Sequence, residues 1–188
     1  YALDCSLSDW KEWASAHGYP AFLGKQIREW LFAKGVIEPE AFSNVAKGAR
    51  AALRESFVWE LPTIDTRLTS LDGSEKLLFR TGDGMFGECV MMPSEKRTTL
   101  CVSSQIGCRW GCTFCQTGRM GLSRSLSSGE ILAQVMLANR ELTAKGERPV
   151  TNVVFMGMGE PLDNLPAVIE VCRTLTDPQL FGLSKHRV

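Results

Sequence analysis

The sequence predicts an α/β protein: an N-terminal helical module and a β-hairpin linker, followed by the first βα units of a partial (βα) barrel. Three observations predict it. Apolar residues recur at helical spacing through the first third. From Trp59 the spacing changes to alternation interrupted by glycine-containing turns. From residue 97 the order becomes strand, cysteine loop, helix, strand, glycine loop, helix, which is how parallel strands are joined. The expected division is therefore 1–58 for a helical module of RNA-binding type, 59–96 for a hairpin or meander linker, and 97–188 for the first part of the barrel. A parallel barrel needs more strands than these, so a C-terminal half is expected beyond Val188.

Each element has a local cause. Ser8 is positioned to cap a helix over "DWKEWASAH", which Gly18-Tyr19-Pro20 ends. In "GKQIREWLFAKG", Ile27, Trp30, Leu31 and Lys34 share one face and Gly35 stops the helix. "PEAFSNVAKGARAALRESF" reads as one or two further short helices. These helices carry Lys25, Arg28, Lys34, Lys47, Arg50 and Arg54, candidates to meet RNA phosphates on an otherwise ordinary amphipathic scaffold. "TRLTSLDGSEKLLFRT" reads as strand, Asp72-Gly73 turn, strand. A turn at "GDG" leads into "MFGECVMMP", and "TTLCVSSQIG" reads as one further strand. A long helix over "SSGEILAQVMLANRELTAKG" is capped by Ser127 or Ser128, with Glu130 in its first turn. Val150–Met156 is the next strand, and "LPAVIEVCRTL" the next helix.

Composition excludes several classes. The chain is 44% hydrophobic and 22% charged, which suits a folded globular protein. Lys+Arg and Asp+Glu both number 21, so no global charge marks a simple electrostatic RNA binder. No apolar run approaches the roughly 20 residues of a membrane span, and no secretory leader is visible. The chain begins at Tyr1 and stops straight after "SKHR", as a fragment would. Its seven cysteines are odd in number and concentrated in one segment, which suits thiols kept for chemistry in a reducing cytoplasm.

The densest chemistry lies in "GCRWGCTFC", where Cys108, Cys112 and Cys115 are spaced C-x3-C-x2-C. Thiolates bind zinc or iron–sulfur clusters. A zinc site needs a fourth ligand, for which Cys89, Cys101, Cys172 and His186 are candidates, but structural zinc favours paired C-x2-C knuckles and only one exists here. A four-iron cluster held by three cysteines leaves one iron open to bind and react. Phe114, between the last two cysteines, can shield such a cluster or stack on a bound ring. Downstream, "GMGEP" at Gly157–Pro161 ends a predicted strand, where glycines let backbone approach a ligand.

C-x3-C-x2-C directly after a predicted strand is similar to the signature of the radical S-adenosylmethionine (SAM) superfamily. "CVSSQIGCRWGCTFCQTGRMGLSRSLSSGEI" and "TNVVFMGMGEPLDN" resemble, more narrowly, the RlmN/Cfr family of RNA methyltransferases, from about Leu23 through Val188. The resemblance implies a [4Fe-4S] cluster on Cys108, Cys112 and Cys115, and SAM bound at its open iron with Gly159 and Glu160 near the SAM amino group. It implies methylation of C2 of adenine in 23S rRNA and tRNA through a methylated cysteine that lies outside these residues. Cys101 matches the family's resolving cysteine, and Glu88 its proton-accepting carboxylate. It further implies an electron donor such as flavodoxin and a monomeric, cytoplasmic enzyme without membrane association. Two alternatives stay open: a Cfr-like C8 methyltransferase, and a zinc-stabilised RNA-binding module with Cys101 or His186 as fourth ligand.

Overall fold

The computed structural model describes residues Tyr1–Val188. Helix α1 (Leu7–Ala16) starts at Ser6, not at Ser8. Ser6 has an aspartate three residues on, and the two close a reciprocal capping box: the Ser6 N–H donates to Asp9 at 2.7 Å, and the Asp9 N–H to Ser6 Oγ at 3.2 Å. Helix α2 (Leu23–Arg28) runs into a π turn over Glu29–Ala33 and stops before Gly35, and α3 spans Lys47–Ser56. The module closes on an aromatic cluster, with Trp10 stacked on Trp59 at 5.8 Å and tilted against Phe57 at 4.7 Å between ring centres.

Strands β1 (Thr63–Thr69), β2 (Glu75–Arg80), β3 (Phe86–Pro93) and β4 (Thr98–Cys101) form an antiparallel meander. Strand β5 (Gln105–Cys108) leaves that sheet and pairs instead with β6 (Gly121–Ser125), with the short helix α4 (Gln116–Arg119) between them. Helix α5 (Ser128–Ala144), capped by Ser127 and Glu130, carries the chain across to β7 (Asn152–Val154), which lies parallel to β4. Helix α6 (Leu165–Thr176) follows. The large sheet has the order β1-β2-β3-β4-β7, so the meander and the βα units share one sheet. They also share one core, in which Trp10 and Leu31 join Leu77, Phe79, Leu100, Ile131, Val153 and Leu175.

Two strand expectations need correction. The segment 98–107 is two strands in different sheets. The backbone N–H and C=O of Ser103 are both taken, at 2.9 Å, by the buried side-chain amide of Gln134 on α5. A side chain thus stands where a neighbouring strand would continue the ladder, and the chain turns away. The strand expected over Val150–Met156 keeps only three paired residues. At its start the Val150 N–H donates to Asn139 Oδ1 at 2.7 Å, and at its end the Gly157 N–H bonds Val102 O at 3.1 Å.

Alternation along the strands gives the large sheet two unlike faces. Leu77, Phe79, Cys89, Met91, Leu100 and Val153 point into the core. Leu78, Glu88, Val90, Thr99, Cys101 and Val154 lie on the other face and are only half-buried. This open face carries the candidate chemistry.

Candidate active site

The cysteine loop is the far end of the β5–β6 hairpin. Gly107 pairs with Leu122 and Cys108 with Gly121, so the stem closes directly beneath the first cysteine. Closure requires glycine at 107: its φ is +77°, and a Cβ there would lie 1.9 Å from the Gly121 carbonyl oxygen. Beyond the stem, the Cys115 N–H bonds the Cys112 carbonyl at 3.0 Å, folding the second and third cysteines into one turn. Cys108 is buried, Cys115 half-buried and Cys112 exposed. Phe114 is 92% exposed, beside an exposed Trp110.

The donor chemistry fits a thiolate-held iron–sulfur cluster. Three thiols occupy eight residues, and no aspartate, glutamate or histidine lies between Gly107 and Ser125. The sulfurs are not gathered as placed: no group of three or more His, Cys, Asp or Glu side chains is close enough to hold a metal ion, whether or not Cys101, Cys172 or His186 is counted. The candidate fourth ligands of the alternative zinc reading are likewise not gathered with the three cysteines.

The Gly-Glu loop after β7 lies directly against the segment that leads into the cysteine loop. The Ser104 and Gln105 N–H groups both donate to the Met158 carbonyl, at 2.9 and 3.2 Å. The Met158 N–H donates to Ser103 Oγ at 2.9 Å, and that hydroxyl donates to the Glu88 carbonyl at 2.5 Å. Gly159 has φ +99°, and a Cβ on it would come within 2.6 Å of Gln105 Cβ. Its glycine is thus required by the chain's own packing, a role additional to the ligand approach expected from the sequence. Glu160 caps the following 3₁₀ turn, its Oε1 accepting from the Leu162 N–H at 3.1 Å.

Glu88 and Cys101 share the open face. Cys101 pairs with Val90, so Glu88 is its diagonal cross-strand neighbour, about 7 Å away. Glu88 is held by Lys76 Nζ at 3.0 Å. Burial raises the Cys101 thiol pKa above its ordinary value and the Glu88 charge adds to this, while the Met156 backbone N–H pulls the other way. Cys89 faces the core, where burial first, then Cys101 and Glu88, push its thiol up to about 12.

Arg28 departs from the RNA-contact expectation. It is buried, pairs with Glu170 at 3.4 Å and donates to Thr174 Oγ1 at 2.9 Å, joining α2 to α6. Lys25, Lys34, Lys47 and Arg54 remain exposed, and Arg50 is half-buried.

The sequence reading missed three polar side chains that build the site. Gln134 makes the turn from β4 to β5. Gln105 and Asp163 stand between the two loops, with Gln105 Nε2 3.1 Å from Asp163 Oδ2. Only Gln105 carries a local signal, as the end of the polar run "SSQ"; nothing near Gln134 or Asp163 in the sequence marks them.

Comparison with known proteins agrees with this arrangement. Residues 102–186 match the family model described as the radical SAM superfamily. A "Probable dual-specificity RNA methyltransferase RlmN" of Flavobacterium psychrophilum is 45% identical over 89% of this chain and 48% of its own length. One of the same description from Synechococcus sp. (strain CC9311) is 45% identical over 97% of this chain and 51% of its own. The crystal structure of a radical SAM methyltransferase from Sphaerobacter thermophilus superposes with a TM-score of 0.88 at 38% identity, covering 98% of this chain and 54% of that one. The chain spans about half the length of the curated relatives it matches. In motif, fold and similarity alike, the chain is similar to the radical SAM superfamily over residues 102–186 and to RlmN-type proteins over most of its own length.

Proposed function

We propose that the chain is part of a radical SAM RNA methyltransferase that methylates C2 of adenine in 23S rRNA and tRNA, in the cytoplasm, with a one-electron donor such as flavodoxin. One observation carries this reading. The C-x3-C-x2-C loop, the Gly-Glu loop and the Glu88–Cys101 pair all adjoin residues 102–105, through their backbone and the Ser103 hydroxyl. A metal-binding module would have no need of the last two.

Cys108, Cys112 and Cys115 are the residues to hold a [4Fe-4S] cluster, and Gly159 and Glu160 to receive SAM. That pair of cofactors, when bound, supplies one-electron, hydrogen-abstracting chemistry. The remaining work falls to the open face. Glu88 accepts the proton that C2 of adenine must lose, fixed across the ladder by Lys76. Cys101 supplies the second thiol, which resolves the protein–RNA adduct against a methyl-carrying cysteine outside these residues. The raised Cys101 pKa keeps it protonated at rest, so its sulfur stays unreactive until a base relieves it of its proton. The exposed cations Lys25, Lys34, Lys47 and Arg54 of the helical module are the candidates to meet RNA phosphates.

Anaerobic purification of the full-length protein tests the cofactor half of this reading. A brown protein with stoichiometric iron and sulfide is expected, whose reduced electron paramagnetic resonance signal changes when SAM is added. A colourless protein holding zinc, with no response to SAM, would overturn it.

A further inference from the structure

Two loops have to act on one cofactor: the cysteine loop that holds the iron, and the Gly-Glu loop that meets the SAM amino group. Radical SAM chemistry needs them at a fixed separation, because SAM is to be held by both at once. The cysteine loop is exposed along much of its length, so its own packing does not set that separation, whereas the Gly-Glu loop is half-buried, with Met158 buried against Ser104 and Gln105.

Gln105 is fully buried, three residues before Cys108. Its amide oxygen accepts from the Glu160 N–H at 3.0 Å. Its amide nitrogen donates to Asp163 Oδ2 at 3.1 Å and to Ser125 Oγ, on β6, at 3.2 Å. Asp163 Oδ2 is in turn 2.8 Å from Nε of Arg109, the residue after the first cysteine. Glu160 is thus linked to the cysteine loop through Gln105, Asp163 and Arg109, in two hydrogen bonds and one ion pair. Every polar atom of the Gln105 side chain is used, so its orientation is fixed. The base of the Gly-Glu loop is anchored separately: Asn164 Nδ2 donates to the carbonyls of Ser104 at 2.9 Å and Leu126 at 2.7 Å. Met158 is also held by the Ser104 and Gln105 N–H groups and by Ser103 Oγ, so loss of the Gln105 side-chain link would loosen Glu160 and Asp163 without detaching the loop.

We infer that Gln105, Asp163 and Arg109 are positioning residues that set the cysteine loop and the Gly-Glu loop at the separation SAM requires. The inference rests on the radical SAM reading above and adds to it three residues outside the set assigned there to the cluster and SAM. Their contribution is to SAM affinity, at constant iron content. Residues that orient ligand-holding groups from behind typically contribute tenfold to a hundredfold in affinity.

The test uses full-length protein, reconstituted anaerobically with iron and sulfide, with SAM affinity measured by equilibrium dialysis. Arg109→Ala changes a side chain that is 58% exposed, so the fold survives it. Arg109→Ala and Asp163→Ala should each weaken SAM binding about tenfold with iron content unchanged, and the double variant should be no weaker than either alone. Arg109→Lys should recover part of the loss. Gln105→Leu, close in size but without hydrogen bonds, should weaken binding further and reduce the SAM-induced change in the resonance signal. Wild-type affinity in all single variants would overturn the inference, as would additive losses in the double variant. Loss of iron in step with SAM affinity would also overturn it, since the three residues would then be holding the ligand loop alone. If the wild-type protein shows no response to SAM, the radical SAM reading itself fails and the inference with it.

Discussion

Gly107→Ala should abolish cluster loading, and Gly111→Ala should not. Both glycines have positive φ, +77° and +59°, so both substitutions carry the left-handed penalty of about 1–2 kcal/mol. They differ in what the new Cβ meets. At 111 nothing lies within 4 Å, whereas at 107 the Cβ falls 1.9 Å from the Gly121 carbonyl oxygen, on rigid backbone. No side-chain motion relieves that contact, so the stem must open where Gly107 faces Leu122 and Cys108 faces Gly121. Ladder hydrogen bonds lost there cost about 1 kcal/mol each, which brings the local total to about 3–4 kcal/mol. Cys108 loses its fixed place relative to Cys112 and Cys115. Iron and sulfide content after anaerobic reconstitution, measured on both variants, reads this directly. Near-zero iron is expected for Gly107→Ala and near-wild-type iron for Gly111→Ala. Equal loading of the two would refute the argument that this stem sets the cysteine geometry.

Two further outcomes follow from burial. Arg28→Ala should lower stability by about 2 kcal/mol, since a buried charged hydrogen bond is lost while Glu170, a third exposed, partly rehydrates; urea unfolding should show it. Lys25→Glu should leave unfolding unchanged and weaken RNA binding, and the opposite pattern in these two variants would contradict the placement of Arg28. In the cluster-free protein at pH 8, iodoacetamide should modify the exposed Cys112 first and Cys89 last. With its thiol pushed up to about 12, Cys89 is about one part in ten thousand thiolate at that pH. Peptide mass spectrometry gives the order, and early labelling of Cys89 would show that the core face of β3 is misassigned.

The features legible in the sequence are those whose causes are local. The Ser127–Glu130 cap of α5, the Asp72-Gly73 turn and the C-x3-C-x2-C spacing each lie within a few residues of what they determine. The features that were not legible depend on distant partners. The break between β4 and β5 is made by Gln134, 31 residues along the chain. Arg28 reads as a surface cation until Glu170 and Thr174 arrive from α6. Gly159 reads as a ligand-facing glycine, yet the nearest atoms to its missing Cβ belong to Gln105. Strand β6 has only a glycine and weak alternation to mark it, and it forms because β5 has been turned out of the main sheet.

The central claim concerns a base in RNA, so the most direct measurement is made on RNA. Ribosomal and transfer RNA from cells with and without the gene should be digested to nucleosides and compared by mass spectrometry. Loss of 2-methyladenosine from both RNA classes in cells lacking the gene, restored by the wild-type gene and not by Cys108→Ala, is the result expected. Persistence of 2-methyladenosine with loss of 8-methyladenosine would contradict the C2 assignment, and no change in either nucleoside would contradict adenine methylation altogether.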